Sequence, residues 1–407
     1  MRLGHVSSTA WGIIAAASVL LLLSFGFRAS FGLFVAPISD ANHWGRDSIS
    51  LALAMQNLIW GVLSVFAGGL ADRFGNVKVL VAGVVFYASG LFLTAGVDSI
   101  WQLHLGSGVL IGAGLAGTGF GLVLPLMAKA VTAEDRQWVM GLGTAAGSMG
   151  QFMVVPLVQE LVIDYGWVAA LHVMALLAFS MLVLIMLLAK LSRPGQASVV
   201  SQESAESFRD VVNTAIRYPS YWMLTLGFFV CGFHLAFITV HFPGYLAGKG
   251  FAPDVAAWSI ALIGLFNVAG AMVSGYVSGL MSKRRVLVFI YFMRGIITLG
   301  LLLLPQSLTT VILFSCLTGF LWLATVPPTT GLVATMFGTR YMATLYGVVF
   351  LGHQVGSFCG VWLGGLIYEQ TSHYELVWWL SVALSLVAVA LHWPIREQRA
   401  LPVAVTA

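Results

Sequence analysis

In the run FGFRASFGLF, residues 25–34, a guanidinium, Arg28, stands near the middle of an apolar stretch long enough to cross a bilayer. An Arg near the bilayer centre costs at least ~2.5–3.5 kcal/mol on insertion scales, so such a residue faces a bundle interior or a cavity and has a partner. All fifteen Asp and Glu residues fall in polar turns or at the ends of apolar stretches, so no carboxylate of the chain is expected at its depth. The chemistry open to Arg28 is anion binding through charge-assisted hydrogen bonds, with the missing negative charge carried by a solute. The alternative reading is snorkelling, or pairing with backbone carbonyls.

Histidine is the other group able to act at this depth, because only its unperturbed titration falls near neutral pH. His234, in GFHLAFITVHFP, and His353, in YGVVFLGHQVG, both fall mid-span. With Arg28 they form the expected substrate-binding set, and Phe31, Gln151 and Gln354 are expected to shape it. Arg294, in YFMRG, and Asn267, in LFNVAGAMVSGYVSG, are secondary candidates, Arg294 being expected mainly to tie neighbouring helices together. No nucleophile elbow, phosphate loop or metal-ligand spacing occurs, so no enzyme, cofactor or metal centre is expected. The three cysteines all lie in apolar segments and suggest neither a disulfide framework nor a zinc site.

The elements that must position these residues follow from composition. Of 407 residues 59% are hydrophobic and 8% charged, with a mean hydropathy of +0.95, where a soluble domain carries about 25% charged residues. Apolar runs of spanning length, ~20 residues per crossing, occur near 11–36, 48–71, 78–97, 101–128, 136–160 and 165–190, then near 219–246, 254–281, 285–304, 308–336, 340–369 and 374–395. The expectation is an all-α membrane protein of twelve transmembrane helices. It divides into an N-terminal six-helix half (1–190), a cytoplasmic linker (191–218) and a C-terminal six-helix half (219–407). With the N-terminus inside, fifteen Lys and Arg fall on the inner side and two on the outer, so both termini are expected in the cytoplasm. Basic residues form no stripe, which excludes a nucleic-acid footprint.

A shift of 206 residues superposes GFRASFGLFVAP on GFHLAFITVHFP, and without a gap pairs Gly69 with Gly275, Lys78 with Arg284, Gly141 with Gly347 and Gly150 with Gly356. Two parallel six-helix repeats are the plan of transporters whose halves rock about a midplane site. In that plan His234, the repeat mate of Arg28, would face it across the cavity.

The loop GGLADRFGNVKVL resembles the cytoplasmic signature of the major facilitator superfamily, met here by Gly69, Leu70, Ala71, Asp72, Arg73, Gly75 and Lys78. The resemblance implies that Gly69, Asp72, Arg73 and Lys78 gate the inner side, the aspartate stabilised by a neighbouring helix end. The counterpart loop SGLMSKRRVL keeps the basic residues and lacks the aspartate. Within the superfamily the first helix resembles bacterial relatives of the monocarboxylate transporters, where a basic residue near the place of Arg28 serves anion and proton binding. YGVVFLGHQVG looks like the eleventh helix of oxalate and formate exchangers, with His353 where a lysine stands. The chain departs from the monocarboxylate pattern in its eighth helix, where Asn267 and Ala271 replace an Asp and an Arg.

These readings imply a secondary active transporter of a small organic anion, a monocarboxylate before others, working by alternating access with proton symport. It is expected to be a monomer whose partners are the anion, the proton and the lipid bilayer of a bacterial inner membrane. The rival readings are proton-coupled efflux of amphipathic compounds and a non-transporting sensor of the same fold. Cation exporters need a membrane carboxylate, and none is present away from the ends of these runs.

Overall fold

The computed structural model describes residues 7–132, 135–191, 208–338 and 341–400, leaving aside the side chains of Asp72, Gln137, Phe208 and Ala343. Among these residues the chain is helical, with eleven continuous stretches long and apolar enough to cross a membrane. One of them, Arg136–Leu191, has 56 residues, roughly 80 Å at ~1.5 Å per residue, far more than a ~30 Å hydrocarbon layer. It turns at Gly166, whose φ of 82° is open to glycine and strained for other residues. The crossings therefore number twelve among the described residues: α1 (Ser8–Asn42), α2 (Arg46–Phe74), α3 (Asn76–Ala95), α4 (Ile100–Lys129), α5 (136–165), α6 (167–191), α7 (Pro219–Gly248), α8 (Pro253–Leu280), α9 (Lys283–Leu303), α10 (Leu308–Phe337), α11 (Met342–Thr371) and α12 (Glu375–His392). A short amphipathic helix, Phe208–Arg217, precedes α7.

Local chemistry starts the helices. Ser7 caps α1, its hydroxyl accepting from Ala10 N at 3.1 Å, and Ser282 and Ser307 cap α9 and α10 in the same way. Pro219 and Pro253 open α7 and α8 in the first turn, where the missing N–H costs nothing. Three crossings are not uniform. α1 tightens to a 3-10 turn at Phe31–Phe34, α4 loosens to a π turn at His104–Leu110, and α10 breaks between Leu321 and Val326. Such departures free backbone carbonyls or re-aim side chains.

The two halves repeat one packing device. α1 lies on α5 and α7 on α11 where glycines let backbones touch. A Cβ on Gly26 would come 2.8 Å from the Gly150 carbonyl, and one on Gly150 would land on the Leu22 carbonyl. In the second half a Cβ on Gly232 would land on the His353 carbonyl and one on Gly356 on the Phe229 carbonyl. Without a hydrophobic force between helices in lipid, this close approach is what holds them together. Gly150→Ala is therefore expected to lower stability by about 1–3 kcal/mol, as overpacking against unyielding backbone does. Gly141→Ala, with nothing within 4 Å of its Cβ position, should change it by under about 1 kcal/mol. Thermal midpoints of the purified proteins compare the two.

The halves meet along α2 with α11, α5 with α8, and α1 with α7. At the end holding the α1–α2 turn they are sealed. The Arg46 backbone N–H donates to Glu369 Oε2 at 3.0 Å, the Arg46 guanidinium lies 4.2 Å from the Tyr368 ring centroid, and Gly32 is packed on the Thr239 and Val240 carbonyls. At midspan Asn267 Nδ2 donates to Ser148 Oγ at 2.7 Å and Gln151 Nε2 to the Ile260 carbonyl at 2.8 Å. At the opposite end the Cβ positions of Gly68, Gly69, Gly141 and Gly347 have no neighbour within 4 Å. The contacts between the halves named here therefore lie at the sealed end and at midspan, and the opposite end is called the open end below. Burial follows the same plan: α7 buries 83% of its most apolar stretch and α12 33%, which makes α7 central and α12 peripheral.

Candidate functional site

Arg28 projects from α1 toward α2. Its Nη2 donates to Asn57 Oδ1 at 2.9 Å, and its guanidinium carbon lies 5.0 Å from the Trp60 ring centroid. Asn57 is held in register by its own amide, which donates to the Leu53 carbonyl at 2.9 Å and leaves Oδ1 turned to Arg28. The buried Arg28 Nε has no acceptor. Among the described residues the ion pair present is Lys249 with Glu375 at 3.2 Å, at the sealed end, and no carboxylate meets Arg28. An amide oxygen and an aromatic face solvate a guanidinium without neutralising it, which leaves the site cationic.

Across the seam, α11 supplies His353 and Gln354. Gln354 Oε1 takes hydrogen bonds from His353 Nδ1 at 3.0 Å and from Ser357 Oγ at 3.3 Å. With Oε1 so used, Gln354 Nε2 is a buried donor with no acceptor, and its stem packs where a Cβ on Gly61 of α2 would stand, 2.6 Å away. The Trp60 and Phe350 rings, 5.4 Å apart and edge to face, bridge α2 and α11, and Phe350 stacks on His353 at 5.8 Å. Arg28 and His353 thus belong to one seam, joined through Trp60 and Phe350. Two unused donors, one from each half, lie on it.

The other expected site residues are placed elsewhere. His234 does not face Arg28; its Nε2 hydrogen-bonds the Ser381 carbonyl of α12 at 2.9 Å, on the outer flank of α7. The repeat relates backbones, and the side-chain direction at this turn of the buried α7 is taken by the α12 contact. Phe31 falls in the 3-10 turn, 3% exposed, and lines a small apolar gap with Phe34, Ile38 and Leu103 inside the first half. Gln151 and Asn267 tie α5 to α8 rather than pointing a free amide inward, and Asn267 Oδ1 also accepts from Leu323 N at 2.8 Å in the α10 break. Arg294 caps that break: Nη2 donates to the Leu321 carbonyl at 2.7 Å and to that of Trp322, and Nη1 to Cys231 Sγ at 3.4 Å. It satisfies carbonyls freed by the break, so Arg294→Met is expected to cost about 1–3 kcal/mol of stability, read as a lower thermal midpoint.

The family model of the Major Facilitator Superfamily matches residues 16–358, and again 250–405. The chain belongs to the major facilitator superfamily. It is similar to the uncharacterized MFS-type transporter YcxA of Bacillus subtilis, 24% identical over 386 residues that cover 94% of this chain and 93% of that one. It is also similar to monocarboxylate transporter 13 of Rattus norvegicus, at 23% with 89% and 83% covered. Multidrug resistance protein MdtH of Yersinia pestis matches at 25%, with 93% of each chain covered. Its fold is that of a bacterial homolog of the human lysosomal transporter Spinster, solved inward-facing and unoccupied, with a TM-score of 0.78 at 13% identity over 95% of this chain and 96% of that one.

For a superfamily transporter the signature loop lies at the open end. Arg73 is exposed against the Phe74 ring at 5.3 Å, Lys78 is exposed, and the Cβ position of Gly69 is open. The side chain of Asp72 lies outside the described residues. At the counterpart loop Glu397, from beyond α12, reaches the N-terminus of α9: its Oε1 accepts from Ser282 Oγ at 2.5 Å and Arg284 N at 2.6 Å. Sequence reading missed Asn57, Trp60 and Phe350. The signal for Asn57 was present, since Gln56 and Asn57 are the polar pair inside the second apolar run.

Proposed function

We propose that this transporter carries a small organic anion, a monocarboxylate, together with a proton, by alternating access across a bacterial inner membrane. The observation that carries the reading is Arg28: a guanidinium within the bundle, bound to an amide oxygen and an aromatic face, with no carboxylate in contact among the described residues. Arg28 receives the carboxylate, the Gln354 amide approaches it from the other half, and His353 carries the coupled proton. His234 takes no part, being committed to α12. The likeness to monocarboxylate transporter 13 supports the class, and the likeness to MdtH keeps efflux of amphipathic compounds as the rival.

The units that rock are 1–190 and 219–407, joined by 191–218. The excess of Lys and Arg on the side of the termini supports a cytoplasmic location for both ends, which makes this conformation inward-facing. In this orientation the Gly69, Asp72, Arg73 and Lys78 loop is a gate standing open, and Arg46 with Glu369 belongs to the closed outer side.

Symport follows from charge. An inside-negative potential opposes uptake of a monovalent anion by ~2.3 kcal/mol per 100 mV, and one accompanying proton cancels that term. Proteoliposomes with an imposed gradient test it. Outside acid should raise the initial rate of carboxylate uptake several-fold and a protonophore should abolish the stimulation. Equal rates with and without the gradient would exclude symport.

A further inference from the structure

We propose that the preferred substrate is an aromatic monocarboxylate, its ring held among aromatic side chains on the open side of Arg28, an inference that rests on the anion reading of the same site. The argument is one of depth. α1 runs from the open end to the sealed end, so Phe25 stands about 4.5 Å nearer the mouth than Arg28, three residues on at ~1.5 Å each. α2 runs the other way, and Trp60 stands three residues nearer the mouth than Asn57. On α11 Phe350 lies four residues nearer the mouth than Gln354. The charged and amide groups therefore form the inner end of the site, and the rings form its approach.

The rings are one connected set drawn from both halves. Trp60 meets Phe25 at 5.9 Å and Phe350 at 5.4 Å, both edge to face, while Phe120 stacks on Phe25 at 4.0 Å. Phe25, Phe120 and Phe350 remain partly exposed, unlike the sealed core rings Phe27 and Phe237. Faces and edges left available in this way accept a further ring in the offset or T-shaped geometries aromatics prefer. A carboxylate on Arg28 with a two- or three-carbon body brings no ring to this set. A body of one ring, attached directly or through a short arm, fills the approach and touches both halves at once.

Thermal-shift titrations of the purified full-length protein with benzoate, phenylacetate, acetate, lactate and benzamide test this. Benzoate or phenylacetate should give half-maximal stabilisation at a concentration at least about tenfold below acetate and lactate, with benzamide inactive. Phe350→Leu should reduce that aromatic-to-aliphatic preference to about threefold or less, and Arg28→Gln should abolish the shift by every acid. Acids that shift wild type equally well with and without a ring, while still requiring Arg28, would overturn the aromatic inference and leave the anion reading standing. Stabilisation by benzamide, or by acids in Arg28→Gln as in wild type, would overturn both. Unliganded midpoints of the two variants within a few degrees of wild type establish that they fold.

Discussion

Replacing Arg28 with glutamine is expected to lower carboxylate uptake by at least about 30-fold in proteoliposomes, with the protein still folded and inserted. Truncating one partner of a buried, hydrogen-bonded charge pair costs ~2–5 kcal/mol, which is roughly 30- to several thousand-fold. Here the partner exists only when substrate is bound, so the loss falls on substrate affinity and turnover rather than on folding. The unliganded protein should even be relieved of an unneutralised charge, and its thermal midpoint should hold or rise. Arg28→Lys keeps the charge and loses the planar fork, the face that lies on Trp60 and the hydrogen bond to Asn57 as now made. It should retain a minor fraction of uptake, above the glutamine variant. Wild-type uptake by Arg28→Gln would remove Arg28 from the site.

Gly32→Leu should hold the transporter open at the end that is sealed here. A Cβ at residue 32 lands on the Thr239 carbonyl and 2.9 Å from that of Val240, both on the other half, and neither backbone oxygen can turn aside. The collision exists only while the halves are together at this end. Its cost of about 1–3 kcal/mol therefore acts on the conformational equilibrium, shifting populations roughly 5- to 150-fold, since a perturbation moves a two-state balance by its differential energy. Ser50→Cys reports the change, because Ser50 is fully buried at this end, where a Cβ on Gly365 of the opposite half would collide with its side chain. A membrane-impermeant maleimide added from outside should label Ser50→Cys slowly, and Gly32→Leu/Ser50→Cys at least about fivefold faster. Gly248→Leu, with nothing within 4 Å of its Cβ position, should leave labelling slow. Unchanged labelling in the Gly32 variant would mean that the seal does not open by separation of α1 from α7.

Much of the fold was legible because lipid simplifies the code. Twelve apolar runs became twelve crossings, even where Arg136–Leu191 continues without a polar loop, since no helix of 56 residues fits one bilayer. The glycine pairs Gly26 with Gly232 and Gly150 with Gly356, weak as sequence coincidences, lie at equivalent helix crossings in the two halves. The expected site was legible in depth and illegible in direction. His234 and Arg28 share a depth, yet α7 is buried nearly all round, so no polar face of that helix announces which way His234 points. It points to α12. Phe31 followed the same course, because the 3-10 turn at Phe31–Phe34 changes the angular step between side chains and sends the ring into the first half. Trp60 and Phe350 were hidden as apolar residues among apolar residues, and only the approach of α2 to α11 gives them a shared neighbour. Glu397 lies beyond the last apolar run, where no periodicity gives it a partner, and the chain returns it to the N-terminus of α9.

The central claim, that a guanidinium inside the bundle takes its counter-ion from solution, is tested most directly by calorimetric titration of the purified transporter with benzoate. Wild type should bind one benzoate per chain, and Arg28→Gln should give no saturable heat at the same concentrations. Saturable binding of equal affinity in both proteins would contradict it.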